Sequence, residues 1–141
     1  MGRKSTQIEA IIGSLRGREL DARYLGYFEC FNRGLFYEAH DVLEDLWLEE
    51  RNGPDGHFYK GLIQLAGAFV HLQKGRLKPA DALFRLAMSN LEDYPTLHRQ
   101  LMRDPVLGLI AWWRYRLAEG DFVRNPLTDR TAPRLDLMER L

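Results

Sequence analysis

The chain has very little cysteine: Cys30 is the only one, so no disulfide can form within it. Lying between Phe28 and Phe31, Cys30 is expected to be a small core residue rather than a nucleophile. Long apolar runs are missing too. No stretch approaches the ~20 residues a membrane span needs, so no membrane partner is expected. The opening Met1-Gly-Arg-Lys-Ser-Thr6 leads into a segment with Glu9, Gly13 and Arg16, not into the apolar core of a secretory signal. The cytoplasm is therefore the expected compartment. There is no net charge, since 20 basic residues balance 20 acidic ones, which argues against a dedicated nucleic-acid binder. No segment has the period-two alternation of a strand.

Several catalytic signatures are absent as well. There is no glycine-rich phosphate loop, no His-Glu-x-x-His, no pair of Glu-x-x-His motifs and no plausible Ser–His–Asp order. Asp41 and Glu44 have the spacing of one acidic magnesium pair. An all-helical nucleotide pyrophosphatase needs a second pair on a following helix, and none is present.

What the chain does have is ordinary globular composition, 45% hydrophobic and 28% charged, over 141 residues. Apolar residues recur at three and four positions, the helical period. This spacing predicts main helices near residues 21–33, 35–50, 57–74, 78–94 and 105–119. Asp21 suits the first N-cap, and Gly34 and Gly75 suit the left-handed position just past a helix end. Asn52-Gly53-Pro54-Asp55-Gly56 is the plainest turn in the chain. The 57–74 helix is apolar over more than half its circumference, which predicts that it is the buried one. Its remaining arc, with Lys60, Gly61, Gln64, Gly67, Ala68 and His71, is a narrow polar stripe among small residues that lets a neighbouring backbone approach.

The fold expected is therefore all-α, a compact multi-helix bundle of about five main helices built on αα-hairpins. Residues 1–20 form an N-terminal extension whose Ile8, Ile11, Ile12 and Leu15 have helical spacing. Residues 21–120 form the bundle, and residues 121–141 a C-terminal tail that Leu135, Leu137, Met138 and Leu141 could dock. Gly34 and Gly75 open similar runs 41 residues apart, each with alanine five positions on. This echo is weakly tetratricopeptide-like. It is read as convergent helix-hairpin geometry in preference to a repeat array, which needs at least about three units.

The stretch Leu35–Trp47 organises the rest. On a helical wheel Leu35, Phe36, Ala39, Val42, Leu43, Leu46 and Trp47 share one face, and Glu38, Asp41 and Asp45 lie opposite. His40 and Glu44 sit one turn apart at the border, beside Trp47. Residues 35–55 hold seven acids and one base, an acidic face read as solvated helix surface. His40, Glu44, Gln64, His71, Trp47 and Glu38 are the candidate polar network or site. His40, Glu44 and His71 could supply three metal ligands with water in the fourth position. The alternative is a His–Glu–Gln network that holds two helices in register. His57 and His98 are expected to be exposed. Trp112 and Trp113 cannot both face inward, which leaves one for an interface.

Phe31-Asn-x-Gly34-x-Phe36-x-Glu38-Ala39-His40-x-x-Leu43-Glu44-x-x-Trp47, followed by Lys60-Gly-Leu-Ile-Gln64-x-Ala66, His71 and Gly75, resembles the small bacterial and archaeal domain of unknown function 309 family over roughly residues 24–94. Tyr37, Asp41 and Lys60 stand where that family usually has phenylalanine, glutamate and glutamine. The resemblance implies an all-helical bundle and no particular activity. Two functional readings remain. In the first, the chain is a non-enzymatic helical protein-interaction module without cofactor, a homodimer that could also take another protein partner. In the second, it is a metal-dependent, hydrolase-like enzyme that uses His40, Glu44 and His71 with a divalent metal.

Overall fold

The computed structural model describes Ile8, Ile11, Ile12 and residues 20–138. Among the described residues 20–138, five helices carry the fold: α1 (Ala22–Asn32), α2 (Phe36–Glu50), α3 (Gly56–Gln73), α4 (Leu77–Leu91) and α5 (Arg103–Glu119). Each packs on the next in sequence, so the chain is a run of αα-hairpins. The all-α bundle expected from the hydrophobic period is the fold observed. Most of the 1–20 extension lies outside the described residues. Ile8, Ile11 and Ile12 are helical and buried.

Helix boundaries follow local chemistry. Asp21 Oδ1 accepts from Arg23 N at 2.8 Å and caps α1. The internal echo has a backbone explanation. Gly34 (φ 74°) and Gly75 (φ 72°) each follow a helix in the left-handed region. After α1, Leu35 N donates to Cys30 O and Gly34 N to Phe31 O. After α3, Arg76 N donates to His71 O and Gly75 N to Leu72 O, the same pair of bonds. Two identical helix stops with a new helix directly behind each produce the similar runs. The stop after α5 has the same bonds, but its left-handed residues are Asp121 (φ 55°) and Phe122 (φ 57°), not Gly120.

The core is centred on Phe69 of α3. Its ring meets one aromatic ring from each of α1, α2, α4 and α5: Phe31 of α1 at 5.6 Å, Phe36 of α2 at 5.0 Å, Phe84 of α4 at 5.2 Å and Trp113 of α5 at 5.0 Å. Most of these contacts are edge-on, a favoured arrangement of ring quadrupoles. Twelve of the eighteen α3 residues are buried, which makes α3 the central helix. Its glycines serve that packing: a β-carbon at Gly61 would lie 2.8 Å from Leu91 Cγ, inside contact distance. Of the tandem tryptophans, Trp113 is buried and Trp112 is 44% exposed.

One element was not expected. Leu97–His98 (β1) pairs antiparallel with Leu101–Met102 (β2) through the turn Arg99-Gln100. Both turn residues have positive φ, 45° and 63°. Such turns favour Asn-Gly, so Arg-Gln carries no sequence signal for one. The hairpin is held from outside: Tyr24 Oη donates to Arg99 O, and Met138 N to Gln100 O.

Candidate functional site

Of the sequence-derived residues, His40 and Trp47 stand on the seam between α2 and α3. Three contacts define its register. Gln73 Nε2 donates to Gly34 O. A β-carbon at Gly67 would lie 3.8 Å from His40 Cδ2. Lys60 Nζ stands 4.4 Å from the centre of the Trp47 indole. Each advance along α2 is matched by an equal retreat along α3, as antiparallel neighbours require. The same register sets His71 opposite Phe36, about 6 Å along the axis from Gly67 and His40.

Along this seam, His40 Nε2 and Glu44 Oε2 are 3.8 Å apart, with side chains 34% and 43% exposed. They form a pair at the solvent edge rather than a buried network, and an i,i+4 pair in that setting contributes little to stability. Gln64 Oε1 accepts from Asn90 Nδ2 at 2.7 Å, so this amide is tied to α4. His71 Nδ1 is buried without a hydrogen-bond partner. Burial, and after it the charges of Arg76 and Lys74, push the His71 imidazole below its usual value, towards the neutral form. Trp47 offers its π face to Lys60 and, at 6.0 Å, to Arg51. Glu38 lies in the first turn of α2, where a carboxylate complements the helix dipole. Among the described residues there is no group of three or more His, Cys, Asp or Glu side chains that could hold a metal ion.

A second polar cluster escaped the sequence reading. Asp55 is the one charged residue buried among those described, at 7% exposure. Its carboxylate meets His98 Nε2 at 2.7 Å and Arg99 Nε at 2.5 Å. Burial would raise the Asp55 carboxyl, but hydrogen bonds from His98 and Arg99 outweigh it and hold the group below its usual value. His98 is therefore not freely exposed as expected: its ring packs against Phe58 at 4.8 Å and Tyr94 at 5.2 Å. A cleft of about 300 Å³ opens beside the cluster, lined by Glu49, Glu50, Pro54 and Arg99 among others. Asp55 reads as turn chemistry in sequence, and its partners stand 43 and 44 residues further on. No local signal joins them. The cluster clamps the α2–α3 turn to the hairpin and so holds Arg99 in its left-handed conformation.

Cys30 is fully buried, and burial, followed by the charge of Glu38, pushes its thiol up to about 11. That is the environment of an inert core thiol. No helix among the described residues is long and apolar enough to cross a membrane.

Comparison with known proteins places these features in context. Residues 24–83 match the family model described as Domain of unknown function (DUF309), a span that contains most of α1 and the whole of α2, α3 and their seam. An uncharacterized protein of Aquifex aeolicus (strain VF5) is 28% identical over 94 residues, covering 65% of this chain and 27% of that protein. The chain thus spans about a quarter of the length of that relative. No solved structure matches.

Proposed function

Because the family matched by residues 24–83 is one of unknown function, we infer the role of the chain from its own surfaces: it is a non-enzymatic helical module of the cytoplasm that acts by protein contact and pairs with a second copy of itself. The observation that carries this is the outer face of α5. Pro105, Gly108, Trp112 and Tyr115 recur at three and four residues on one side of the helix. Trp112 is 44% exposed and Tyr115 61%, and Gly108 has open space where a β-carbon would stand. Tryptophan and tyrosine are the residues that protein interfaces bury, and monomers seldom leave such surface idle. A second copy laid antiparallel would seat each Trp112 in the Gly108 notch of the other and each Tyr115 on Pro105. Light scattering after size exclusion at tens of micromolar is the test. The expected mass is twice 16.5 kDa, falling to the monomer value in Trp112→Glu. A monomer for the unsubstituted chain would overturn the reading.

A second reading, a divalent-metal-dependent enzyme using His40, Glu44 and His71, draws on the unpartnered Nδ1 of His71 and its neutral imidazole, the form that ligates metals. Metal analysis of protein purified without an affinity tag tests it. Stoichiometric metal, lost on His71→Ala, would favour the enzyme over the module.

A further inference from the structure

We propose that the cleft beside Asp55 binds a small zwitterion, an α-amino acid whose carboxylate meets Arg99 and whose ammonium group meets Glu50. The cleft lies at the α2–α3 turn and uses no residue of the outer face of α5, so the proposal does not depend on pairing there.

The charges left over in the cleft carry the argument. Among the described residues four charged ones line it, Glu49, Glu50, Asp55 and Arg99. Glu49 is neutralised by Arg23, whose Nη2 lies 2.7 Å from Glu49 Oε2. Asp55 is held by His98 Nε2 and by Arg99 Nε. That bond uses the Nε of Arg99 and leaves both terminal amino groups of the guanidinium without a hydrogen-bond partner among the described residues, in a side chain 41% exposed. The Glu50 carboxylate has neither an ion pair nor a hydrogen bond among them. Its charge reaches the Arg99 guanidinium through space, yet the two do not pair, because Asp55 holds the guanidinium back. A molecule whose carboxylate and ammonium are separated by a single carbon closes that gap. The outer edge of the guanidinium takes the carboxylate as a fork, and Glu50 accepts from the ammonium.

Arg99 is aimed in advance. Its φ of 45° is costly for a residue other than glycine. Tyr24 Oη holds its carbonyl at 2.9 Å, and the buried Asp55 holds its side chain. A turn that favours Asn-Gly thus keeps an arginine in a strained conformation and commits a buried carboxylate to orienting it. Strain upheld by the surroundings in this way marks a position where orientation matters. Tyr59 is a second and independent sign. It is 2% exposed, and its hydroxyl makes no hydrogen bond among the described residues, whereas a phenol so deeply set ordinarily has a partner. Burial pushes this hydroxyl above its usual value, so it stays protonated and able to donate. The charges that act on it next are those of Arg99, Glu50 and Asp55, all of which line the cleft. The unused hydroxyl is therefore a third contact, a donor to the ligand carboxylate beside Arg99.

The cleft also sets the size of the ligand. A volume of about 300 Å³ is at the small end for a ligand site. The rest of its lining is Asn52, Gly53 and Pro54, which offer neither a charge nor an aromatic face. Recognition thus falls on the two charges that every α-amino acid carries, and small uncharged side chains fit what remains.

The test titrates the full isotope-labelled chain with glycine, L-alanine and L-serine and follows backbone amide shifts by NMR. The expected result is saturable binding of at least one of them, with shifts centred on Asn52, Gly53 and Arg99. Its N-acetyl derivative, which lacks the ammonium, and its methyl ester, which lacks the carboxylate, should each bind about tenfold or more weaker, the cost of a lost charge-assisted hydrogen bond. Glu50→Gln removes an exposed charge, leaves the core untouched and should weaken binding by a similar factor. Arg99→Lys keeps the charge, loses the fork and should do the same; should that variant fail to fold, Glu50→Gln decides. No saturation by about 10 mM with any of the three would overturn the proposal, as would unchanged binding in Glu50→Gln. Sodium acetate that binds as well as the amino acid, with shifts at the same residues, would reduce the cleft to an anion site on Arg99 alone, against the proposal as stated.

Discussion

Replacing Gly61 with alanine should destabilise this protein, although the same change in an open helix position stabilises. The helix-propensity term favours alanine by roughly 1 kcal/mol in a helix interior. Opposing it is space: the new methyl carbon would lie 2.8 and 3.0 Å from Leu91 Cγ and Cδ2, and 3.2 Å from Asn90 Cβ. Leu91 is buried, so α3 and α4 must part slightly to admit the methyl. Overpacking of this kind costs about 1–3 kcal/mol. Gly108 of α5 supplies the reference, being exposed with nothing within 4 Å of a β-carbon. Gly108→Ala shares the propensity gain and lacks the clash. The difference between the two variants therefore isolates the packing term, about 1–3 kcal/mol, or roughly 4 °C of melting temperature per kcal/mol in a chain of this size. Urea denaturation followed by far-UV circular dichroism, at equal m-values and at concentrations below self-association, is the measurement. Equal stability of Gly61→Ala and Gly108→Ala would show that α3 and α4 are not in close contact at Gly61, and the reasoning would fail.

Tyr27→Phe should cost about 1–2 kcal/mol, because the buried hydroxyl donates to Leu62 O at 2.6 Å and ties α1 to α3; equal urea midpoints for the two proteins would contradict this. Asp55 has a depressed pKa in the folded state, so its contribution is present above its unfolded value of about 3.9 and is lost as pH falls through the folded value. Denaturation curves between about pH 2 and 5 should accordingly show a smaller acid loss in Asp55→Asn than in the unsubstituted chain, and parallel losses would remove the carboxylate from the account. The Cys30 thiol, buried and raised to about 11, should resist a thiol reagent at neutral pH until denaturant is added. Rapid labelling of the native protein would place it outside the core.

Much of the fold was legible because helices are written in short-range chemistry. The period of Leu62, Ile63, Leu65, Ala66 and Phe69 marks α3 as the buried helix, and the glycines that end α1 and α3 announce their left-handed φ by being glycine. The pairing of His40 with Glu44 was readable for the same reason, since one helical turn separates them. Only tertiary structure decided the rest. A helical wheel places His40 and Glu44 at the border of an apolar face, but how far a border lies from solvent depends on the neighbours, and here they leave the pair half-open. Gln64 could have turned to α2; the close approach of α4 at Gly61 brings Asn90 to it instead. Asp55, His98 and Arg99 meet across more than forty residues, and Asn32 and Leu135 across 103. A bond of that span leaves no periodic trace, because its two ends are brought together by the packing of whole helices rather than by the preferences of adjacent residues.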